Sequence, residues 1–269
     1  MNVMSVSLLC EATTGKLLLF YLRKDSLANC QVYVRSSEEE GEAWGPARLV
    51  SSGVGYHVMN NARVVQLASG RLLAPVALTP DFGASRHQTA FCYLSDDGAH
   101  TWRRGRGATD LPQSKVGCQE PGLVDLGGSV LMYIRTDLGH VYAAHSEDEG
   151  DTWDAPQPIL ALPAPAAPAT MARLPDGGLV AIYNRREDAL GAGWADRTPL
   201  AAARSDDEGR TWRRLADIEP SPDYCYGYTS IRFDEDSVLL TYYVWPRSAQ
   251  AGFDQTGLRF RRMSLEHFT

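Results

Sequence analysis

The sequence lacks long hydrophobic runs and clusters of basic residues. No uninterrupted apolar stretch in its 269 residues approaches the ~18 residues that a membrane-spanning helix needs. Lys and Arg number 26 and Asp and Glu 33, so the formal net charge is −7. Sequence-independent nucleic-acid binding depends on basic residues that neutralise phosphates. We therefore expect neither a nucleic-acid partner nor a membrane partner.

Cysteine is scarce and scattered. No two of the five cysteines form a CxxC pair, so neither a zinc ribbon nor a thioredoxin-like site is predicted, and we expect no metal or other cofactor. An odd set of isolated cysteines favours buried free thiols in a reducing compartment. The N-terminal residues lack the basic start and the small-residue cleavage site of a secretory signal. The sequence thus predicts a cytoplasmic protein, unless a leader precedes Met1.

Helical periodicity is also absent, and a short pattern of Ser, acidic residue, Gly and Trp recurs instead. It occurs four times, with Ser-to-Ser spacings of 58, 51 and 59 residues. The last two copies fit S-x-D-x-G-x-T-W at every fixed position, whereas the second has Ala99 in place of Gly and the first has Glu39 and Ala43. This spacing indicates a repeat protein. The four Ser/Asp segments are Ser37–Trp44, Ser95–Trp102, Ser146–Trp153 and Ser205–Trp212.

Short β-rich hairpins recur in phase with the Ser/Asp segments. Each has two apolar runs joined by a Gly- or Asp-containing turn, as in VVQLASGRLLAPVA and LVDLGGSVLMYI. A third run leads into the Ser/Asp segment, and a fourth follows its Trp. Four antiparallel strands per unit predict an all-β protein, a β-propeller in which neighbouring sheets cover one another's faces.

Five such units are recognisable, and they predict a single propeller domain over residues 1–269. The last unit has only three evident strands, and the first begins at once with its innermost strand. We therefore expect an incomplete ring, whose open edge strands would favour self-association. The predicted blades are 1–55, 56–114, 115–164, 165–223 and 224–269.

The Ser/Asp segments are predicted to form rigid turns. An Asp side chain accepts hydrogen bonds from nearby groups, Gly adopts positive φ and Trp fills the sheet. Calcium binding is the functional alternative, but these segments offer fewer oxygen ligands than an EF-hand loop does.

The same segments resemble the Asp-boxes of the sialidase (neuraminidase) superfamily, the bacterial-neuraminidase-repeat proteins. The resemblance covers essentially the whole chain and implies a six-bladed propeller of sialidase type with its site at the axis. It also implies three arginines that grip a substrate carboxylate, a Tyr–Glu pair that supplies the nucleophile, and an Asp acid/base.

Part of that set can be placed on this sequence by motif. Glu120, in the segment QEPG, resembles the family's glutamate. Arg135 resembles the second arginine, and Arg197, in an R-x-x-L motif before a Ser/Asp segment, resembles the third. Tyr228, at the entry to the last inner strand, resembles the catalytic tyrosine. Tyr226 is the less favoured candidate for that role and an expected substrate contact.

The family's first arginine and its acid/base aspartate have no match by spacing. If the correspondence holds, both belong to a blade that precedes Met1, and we expect weak or no activity from this chain alone. Asp25 and Asp81 are candidate substitute acids, although no motif identifies them.

The placed residue types suit a glycoside that carries a carboxylate at its reacting carbon. Arginine stays protonated and binds two carboxylate oxygens at once. A neutral tyrosine hydroxyl, with a glutamate as its base, avoids the repulsion that a carboxylate nucleophile would meet. Two arginines beside Glu120 would keep that carboxylate ionised.

Polar residues also cluster where the inner strand of the second unit meets the predicted axis. Burying His57, Asn61 and Arg63 without partners would be costly, so we expect them to contact substrate in a wet cavity. His57 is a candidate general acid there. A satisfied polar network in the core is the alternative. Further candidate contacts lie on loops before the Ser/Asp segments: Arg86-His87 and Asn184-Arg185-Arg186.

The favoured function is a sialidase-like exo-glycoside hydrolase that releases a terminal acidic sugar, sialic acid or a relative. Because fold does not fix function, a uronate lyase that uses His57 and Tyr228 for proton transfer is a second interpretation. A non-catalytic propeller that binds a glycan or a protein is a third. The expected partner of either enzyme is an acidic sugar or glycan.

Overall fold

Strands account for nearly all of the regular structure. The computed structural model describes residues 1–191, 193–248 and 255–269. These residues form twenty strands and two short 3-10 helices, Trp194–Asp196 and Leu265–Phe268. The all-β class expected from the sequence is confirmed. Across the described residues, no helix has the length and apolar character needed to cross a membrane.

The chain divides into two compact units. Unit 1 contains Met1–Met132 and Ala144–Pro156, and unit 2 contains Tyr133–Ala143 and Gln157–Thr269. Each unit holds a cluster of buried apolar side chains. Each therefore has a hydrophobic core of its own.

The first sheet lies in unit 1 and has nine strands. They are β1 (Asn2–Cys10), β2 (Leu17–Ser26), β3 (Asn29–Ser37), β4 (Arg48–Leu49), β5 (Gly55–Val58), β6 (Val65–Gln66), β7 (Leu72–Thr79), β8 (Thr89–Ser95) and β9 (Arg103–Arg104). Their order is β1-β2-β3-β5-β7-β8-β9, with β4 on β3 and β6 on β7. Parallel pairing of Cys30 with Tyr56 joins β3 to β5. The predicted blades 1–55 and 56–114 therefore share one hydrogen-bonded sheet.

Three further sheets follow along the chain, with four, four and three strands. The second sheet has β10 (Gln119–Asp125), β11 (Val130–Arg135), β12 (His140–Ser146) and β13 (Gln157–Pro163). The third has β14 (Thr170–Arg173), β15 (Leu179–Asn184), β16 (Leu200–Ser205) and β17 (Arg213–Glu219). The fourth has β18 (Tyr224–Asp234), β19 (Ser237–Pro246) and β20 (Gly257–Ser264). In each sheet the strands are ordered as they occur in the sequence.

Alternating side chains build the cores. On β2, Leu18, Phe20 and Leu22 are buried while the residues between them are partly exposed. This period of two is expected where one face of a strand is covered more fully than the other. Strand β7 is buried along nearly its whole length, because neighbours cover both of its faces. The apolar runs that predicted the hairpins are therefore the residues that form the core.

Four of the five cysteines are buried free thiols, and Cys10 is exposed. Burial raises the pKa of Cys30 to about 12 and that of Cys118 to about 11. Because a protonated thiol is a poor nucleophile and metal ligand, these two side chains serve packing.

The Ser/Asp segments form closely similar hydrogen-bonded turns. In the second copy, Ser95 Oγ donates to Asp97 Oδ1 at 2.9 Å and accepts from the Ala99 amide at 3.0 Å. The Thr101 amide donates to Asp97 Oδ1 at 2.8 Å, and the Thr101 hydroxyl donates to Oδ2 at 2.6 Å. The third and fourth copies repeat these bonds. The carboxylate therefore stabilises its own turn.

The first copy lacks the Asp and Thr of the pattern and forms only part of the turn. Ser37 Oγ accepts from the amides of Glu39 at 3.2 Å and Gly41 at 3.0 Å, but Ala43 has no hydroxyl to offer Glu39. Among the residues that the structure describes, no group of three or more His, Cys, Asp or Glu side chains is arranged to hold a metal ion. The described contacts thus favour the structural interpretation of these turns.

Asp97→Asn is expected to lower the free energy of unfolding at neutral pH. Burial alone would raise the pKa of Asp97, but hydrogen bonds from Thr101 and Ser95 outweigh it and lower the pKa to about 2. The unfolded carboxyl titrates at about 3.9. The stabilisation is therefore complete above about pH 4 and is lost as the pH falls towards 2. Urea unfolding should show the gap between wild type and variant closing over that range.

Glu39→Gln is the matched control for this substitution. Glu39 occupies the Asp position of the first copy, opposite Ala43, so removing its charge breaks no bond of the Asp–Thr kind. We expect its unfolding to follow the wild type at every pH. Equal losses in the two variants would show that charge, rather than the bonds to Thr101, sets the stability.

Candidate functional site

Arg197 and Tyr228, two residues placed by resemblance, lie close together in unit 2. The guanidinium carbon of Arg197 is 5.7 Å from the centre of the Tyr228 ring and 4.6 Å from the centre of the Trp194 ring. Arg197 is 2% exposed, whereas Tyr228 and Trp194 are partly exposed. Both distances are within the range of a cation–π contact. A buried cation therefore lies beside two aromatic side chains that reach solvent.

The side chain and the backbone of Arg197 are both held in place. Its Nη2 donates to the Ala166 carbonyl at 2.9 Å. Its own carbonyl accepts two hydrogen bonds of 2.9 Å, from the Tyr226 amide and from Asn184 Nδ2. Because these contacts fix the guanidinium before a ligand arrives, little side-chain entropy is left to lose on binding.

Two tryptophans that the sequence analysis missed complete this cluster. Trp194, in the 3-10 helix before Arg197, stacks on Trp245 of β19, with ring centres 4.2 Å apart and 20° between the planes. Trp245 is 1% exposed and backs the more exposed Trp194. Four of the six tryptophans belong to Ser/Asp segments. Trp194 and Trp245 are the two that lie outside these segments, and that position could have marked them as candidate functional residues.

Tyr228 lies at an irregularity in β18. The register between β18 and β19 shifts between Gly227 and Ser230, and Tyr228 has a left-handed φ of 60°. A tyrosine rarely adopts this conformation, so the surrounding structure must hold it. Its ring meets Tyr243 edge-on at 5.9 Å. This bulge re-aims the Tyr228 side chain at the point where the ladder is interrupted.

Tyr226, expected to contact substrate, lies instead in the core of unit 2. It is 1% exposed, and its ring meets Tyr242 edge-on at 6.2 Å. Burial raises the pKa of Tyr226, which keeps its hydroxyl protonated. The structure therefore favours packing over substrate contact for this residue.

Arg135 and Glu120 belong to different units. Arg135 is the last residue of β11, lies in unit 2 and is partly exposed. Glu120 is the second residue of β10 and lies in unit 1, where it is also partly exposed. Their roles stay predictions from the resemblance.

Glu120 begins a strand that is anchored to its neighbours in unit 1. The Cys118 amide donates to the Gln88 carbonyl at 2.8 Å, and the Gln88 amide donates to the Val116 carbonyl at 3.1 Å. Strand β10 also packs against β7 and β8. Glu120 has a left-handed φ of 45°, so the two proposed catalytic residues share this uncommon backbone conformation.

His57, expected in a wet cavity, is a buried core residue. It is 0% exposed, with Nδ1 2.9 Å from the Cys30 carbonyl oxygen and Nε2 3.0 Å from the Tyr93 hydroxyl. Since a carbonyl can only accept, Nδ1 is assigned the proton. Burial lowers the pKa of His57, so its ring is neutral at neutral pH. The structure thus favours the satisfied core network over a general acid.

Asn61 and Arg63 flank Ala62, which has a left-handed φ of 53°. The Arg63 amide donates to Ser7 Oγ at 2.9 Å, and Arg63 is 2% exposed. The Asn61 amide donates to Asn60 Oδ1 at 2.8 Å, and Asn61 is partly exposed. Arg63 is therefore deeply placed and Asn61 is nearer the surface. A substrate contact by either residue stays a prediction.

The two candidate substitute acids, Asp25 and Asp81, both accept hydrogen bonds in unit 1. Asp81 Oδ1 accepts from the Gly83 amide at 2.7 Å and so caps its own loop. Asp25 Oδ2 accepts from Arg23 Nη2 and from Asn29 Nδ2, each at 3.3 Å. Both residues are exposed, and the longer bonds leave Asp25 the less constrained of the two.

Arg185 and Arg186, expected as loop contacts, are engaged in ion pairs of unit 2. Arg186 meets Asp196 at 2.9 Å and Asp188 at 3.0 Å. Arg185 meets Glu187 at 3.4 Å. A substrate carboxylate would have to compete with these neighbouring carboxylates for either guanidinium.

Comparison of the sequence with models of protein families gives a match that covers most of the chain. The family described as BNR repeat-like domain matches residues 2–240. No curated protein matches the sequence. The family match covers more than half of the chain, including the candidate residues of both units.

Several of the solved structures with a similar fold are sialidases or a trans-sialidase. A leech intramolecular trans-sialidase, complexed with 2,7-anhydro-Neu5Ac, has a TM-score of 0.75 at 13% identity and covers 99% of this chain and 57% of its own. The NanB sialidase of Streptococcus pneumoniae has a TM-score of 0.73 at 13% identity, covering 99% and 56%. The Trypanosoma rangeli sialidase has a TM-score of 0.72 at 18% identity, covering 98% and 45%.

These identities show likeness of fold alone. The chain spans little more than half the length of the first solved structures that it matches. The activities and ligands named for those proteins therefore belong to them.

His57→Gln is expected to flatten the dependence of stability on pH. A buried neutral histidine has a lower pKa in the folded state than in the unfolded state, where it is about 6.5. The stabilisation is complete above that value and falls as the pH drops below it, by up to about 1.4 kcal/mol per pH unit. Urea unfolding of wild type and variant between pH 8 and pH 5 measures the difference.

His267→Gln is the control, because His267 is exposed near the C-terminal end. Its pH dependence should match the wild type. A His57 variant that unfolds like the wild type but binds an acidic sugar less well would instead support the substrate-contact interpretation.

Proposed function

The chain belongs to the BNR repeat-like domain family of the sialidase superfamily, and on that premise we propose that it is a sialidase-like exo-glycoside hydrolase. Its substrate is a glycan that ends in an acidic sugar, sialic acid or a relative. The observation that carries the proposal is the contact of the buried Arg197 with the partly exposed Tyr228 and Trp194. This pairing suits a sugar that brings a carboxylate close to its reacting carbon.

Arg197 is proposed to bind the substrate carboxylate, with Arg135 as the second arginine of the clamp. A guanidinium keeps its charge at any physiological pH and offers paired N–H donors that match two carboxylate oxygens. The bond from Arg197 Nη2 to the Ala166 carbonyl sets the plane of that group. Because the guanidinium plane is fixed, the substrate carboxylate can form two parallel hydrogen bonds with it from one direction only.

Tyr228 is proposed as the nucleophile and Glu120 as its base. A neutral hydroxyl approaches an anionic sugar without the repulsion that a carboxylate would meet. When Glu120 takes the phenolic proton, the tyrosine oxygen attacks the anomeric carbon as the bond to the aglycone oxygen breaks, and that oxygen takes a proton from solvent. Water then cleaves the glycosyl–tyrosine bond, which releases the sugar and restores the phenol. The left-handed backbone at Tyr228 supports this role, because strained conformations cluster at functional sites.

The repeated sheets support a β-propeller of the sialidase type, in which each sheet is a blade. Five blades of an expected six is the count that the sequence pattern favours. The similarity to sialidase structures over nearly the whole chain supports this architecture.

The two alternative functions, a uronate lyase and a non-catalytic glycan-binding protein, require different roles from His57, Arg197 and Tyr228. A uronate lyase that relies on His57 is disfavoured, because both ring nitrogens of His57 contact protein groups in the core. A non-catalytic glycan-binding protein would use Arg197 in the same way but would not need Tyr228. Because turnover by this chain alone is expected to be weak, binding of free sialic acid with no sialoside turnover even at high protein concentration and long incubation would identify that case.

Arg197→Ala is expected to reduce kcat/KM for a fluorogenic sialoside by about 100-fold or more, because it removes a preorganised charge. Tyr228→Phe should abolish turnover while leaving the affinity for free sialic acid within about twofold of wild type. Sugar release and calorimetric titration with sialic acid measure the two effects. Tyr224→Phe, an exposed tyrosine on the same strand, is the control and should keep wild-type turnover. Full turnover by the Tyr228 variant would overturn the proposal.

Trp194→Ala is expected to raise KM for the same sialoside several-fold with a smaller change in kcat. The substitution removes the ring over which Arg197 lies, so the guanidinium samples more orientations before the sugar binds. Trp194→Phe keeps an aromatic face and should restore most of the loss. A Phe variant as impaired as the Ala variant would argue against this positioning role.

A further inference from the structure

The backbone carbonyl of Arg197 joins two strands of unit 2. It accepts a hydrogen bond of 2.9 Å from the Tyr226 amide on β18 and another of 2.9 Å from Asn184 Nδ2 at the end of β15. Tyr228 follows two residues after Tyr226. One oxygen atom therefore connects the arginine proposed to bind the carboxylate with the strand of the proposed nucleophile, and Asn184 holds that oxygen from β15.

The side chain of Arg197 continues along β18. A Cβ atom at Gly227 would lie 3.5 Å from Arg197 Nη1, so the guanidinium packs on the backbone between Tyr226 and Tyr228. The guanidinium carbon is 5.7 Å from the centre of the Tyr228 ring. Arg197 thus meets three consecutive residues of β18, with its carbonyl at one end and its charged group at the other.

Asn184 lies at the base of the segment that carries Arg197. It is the last residue of β15, pairs with Leu200 at the start of β16 and is 1% exposed. The next residue, Arg185, donates its amide to the Pro199 carbonyl at 3.2 Å. Because Arg197 is three residues before Leu200, the Asn184 side chain reaches it across the point where the two strands separate. Dense packing at this buried position restricts the orientations open to the amide.

The orientation of the Asn184 amide follows from its partner. A carbonyl oxygen can only accept, so the nitrogen of the amide faces Arg197. Among the protein groups in the described part of the chain, Oδ1 of Asn184 has no hydrogen-bond partner. The amide thus acts as a donor to Arg197. Leucine and an ionised aspartate have nearly the same shape as asparagine but offer no such donor.

Strand β18 is also held on the other side of Tyr228. The Thr170 hydroxyl, at the start of β14, donates to the carbonyl of Thr229 at 2.6 Å, and Thr170 is 5% exposed. Pairing with β19 resumes at Ser230. Because these contacts fix the backbone next to Tyr228, a shift of the Arg197 carbonyl changes the position of Arg197 relative to Tyr228 and does not carry Tyr228 along.

We propose that Asn184 is a positioning residue, which sets Arg197 relative to Tyr228 by holding the Arg197 carbonyl. This inference rests on the proposed function, because it takes Arg197 to bind the substrate carboxylate and Tyr228 to attack the sugar. Asn184 acts through Arg197 and does not itself bind the sugar. Without its donor, the Arg197 carbonyl loses one of two hydrogen bonds, and the guanidinium samples orientations that do not match a carboxylate held beside Tyr228.

Asn184→Leu and Asn184→Asp remove the donor with little change of side-chain shape. In nuclear magnetic resonance spectra of the full chain at neutral pH, the Nε–H signal of Arg197 is identified by its absence from Arg197→Ala. Aromatic rings shift the resonances of protons beside them, so this signal reports where the guanidinium lies relative to Trp194 and Tyr228. Both Asn184 variants should move the signal towards that of an exposed arginine and speed its exchange with water.

Calorimetric titration with free sialic acid measures the consequence for binding. Both Asn184 variants should bind it about tenfold more weakly than wild type does, the effect of about one hydrogen bond. Agreement between the two separates the lost donor from the charge that aspartate adds. For the fluorogenic sialoside, kcat/KM should fall further than the affinity for sialic acid, because a bound sugar is then less well aligned with Tyr228.

Gln31→Leu is the matched control. Gln31 is a buried amide of unit 1, 8% exposed, whose Nε2 donates to the Asn29 side chain at 3.0 Å and to the Gly53 carbonyl at 3.3 Å. The substitution therefore removes bonds of the same kind from residues other than Arg197. It should leave the Arg197 signal and the affinity for sialic acid as in wild type. Thermal unfolding verifies that each variant is folded, and if one Asn184 variant is not, the other carries the test.

Three results would overturn the inference. They are Asn184 variants whose Arg197 signal stays at its wild-type position, Asn184 variants whose kcat/KM falls no further than their affinity, and a Gln31 variant that matches their losses. The signal does not depend on a ligand, so the two proposals can fail separately. A wild type that binds no sialic acid, with an Arg197 signal that moves in both Asn184 variants, would sink the proposed function and leave the positioning role standing.

Discussion

The proposed catalytic residues depend on a left-handed backbone conformation within the first strand of a sheet. Glu120, the second residue of β10, and Tyr228, the fifth residue of β18, have φ values of 45° and 60°, and Ala62, between β5 and β6, has 53°. Such a conformation costs a residue with a side chain about 1–2 kcal/mol. Ala62 carries no functional group, so this conformation is not confined to residues with a proposed role. At Tyr228 it coincides with the bulge in β18, which re-aims the side chain.

The turns at the other end of the strands hold their carboxylates with hydrogen bonds from the same turn. Asp97, Asp148 and Asp207 each accept bonds from a Ser and a Thr of the same turn. Asp148 also pairs with the more distant Arg106 at 3.2 Å. These turns therefore fix the strand ends mainly through bonds between residues close in sequence, whereas Arg197 is held by tertiary contacts.

Local patterns predicted the turns and hairpins because their hydrogen bonds join residues close in sequence. The sequence did not reveal the contact of Arg197 with Trp194 or the stacking of Trp194 on Trp245. The two tryptophans are 51 residues apart and meet only because β19 lies beside the 3-10 helix. The resemblance to sialidases marked Arg197 and Tyr228, and the structure shows them in contact. The sequence did not predict the burial of Tyr226, because the alternation of buried and exposed residues along β18 is interrupted by the bulge after Gly227.

His57 adds a side-chain contact to the backbone pairing that joins the first two repeats, and it shows that polar residues near a strand start do not by themselves mark a cavity. Its Nδ1 bonds the carbonyl of Cys30, the residue through which β3 pairs with β5. Its Nε2 meets Tyr93 on β8, whose hydroxyl also contacts Ser52. One imidazole thus links three strands of the nine-stranded sheet. Burial lowers the pKa of His57 and keeps its ring neutral at neutral pH, so this side chain serves stability.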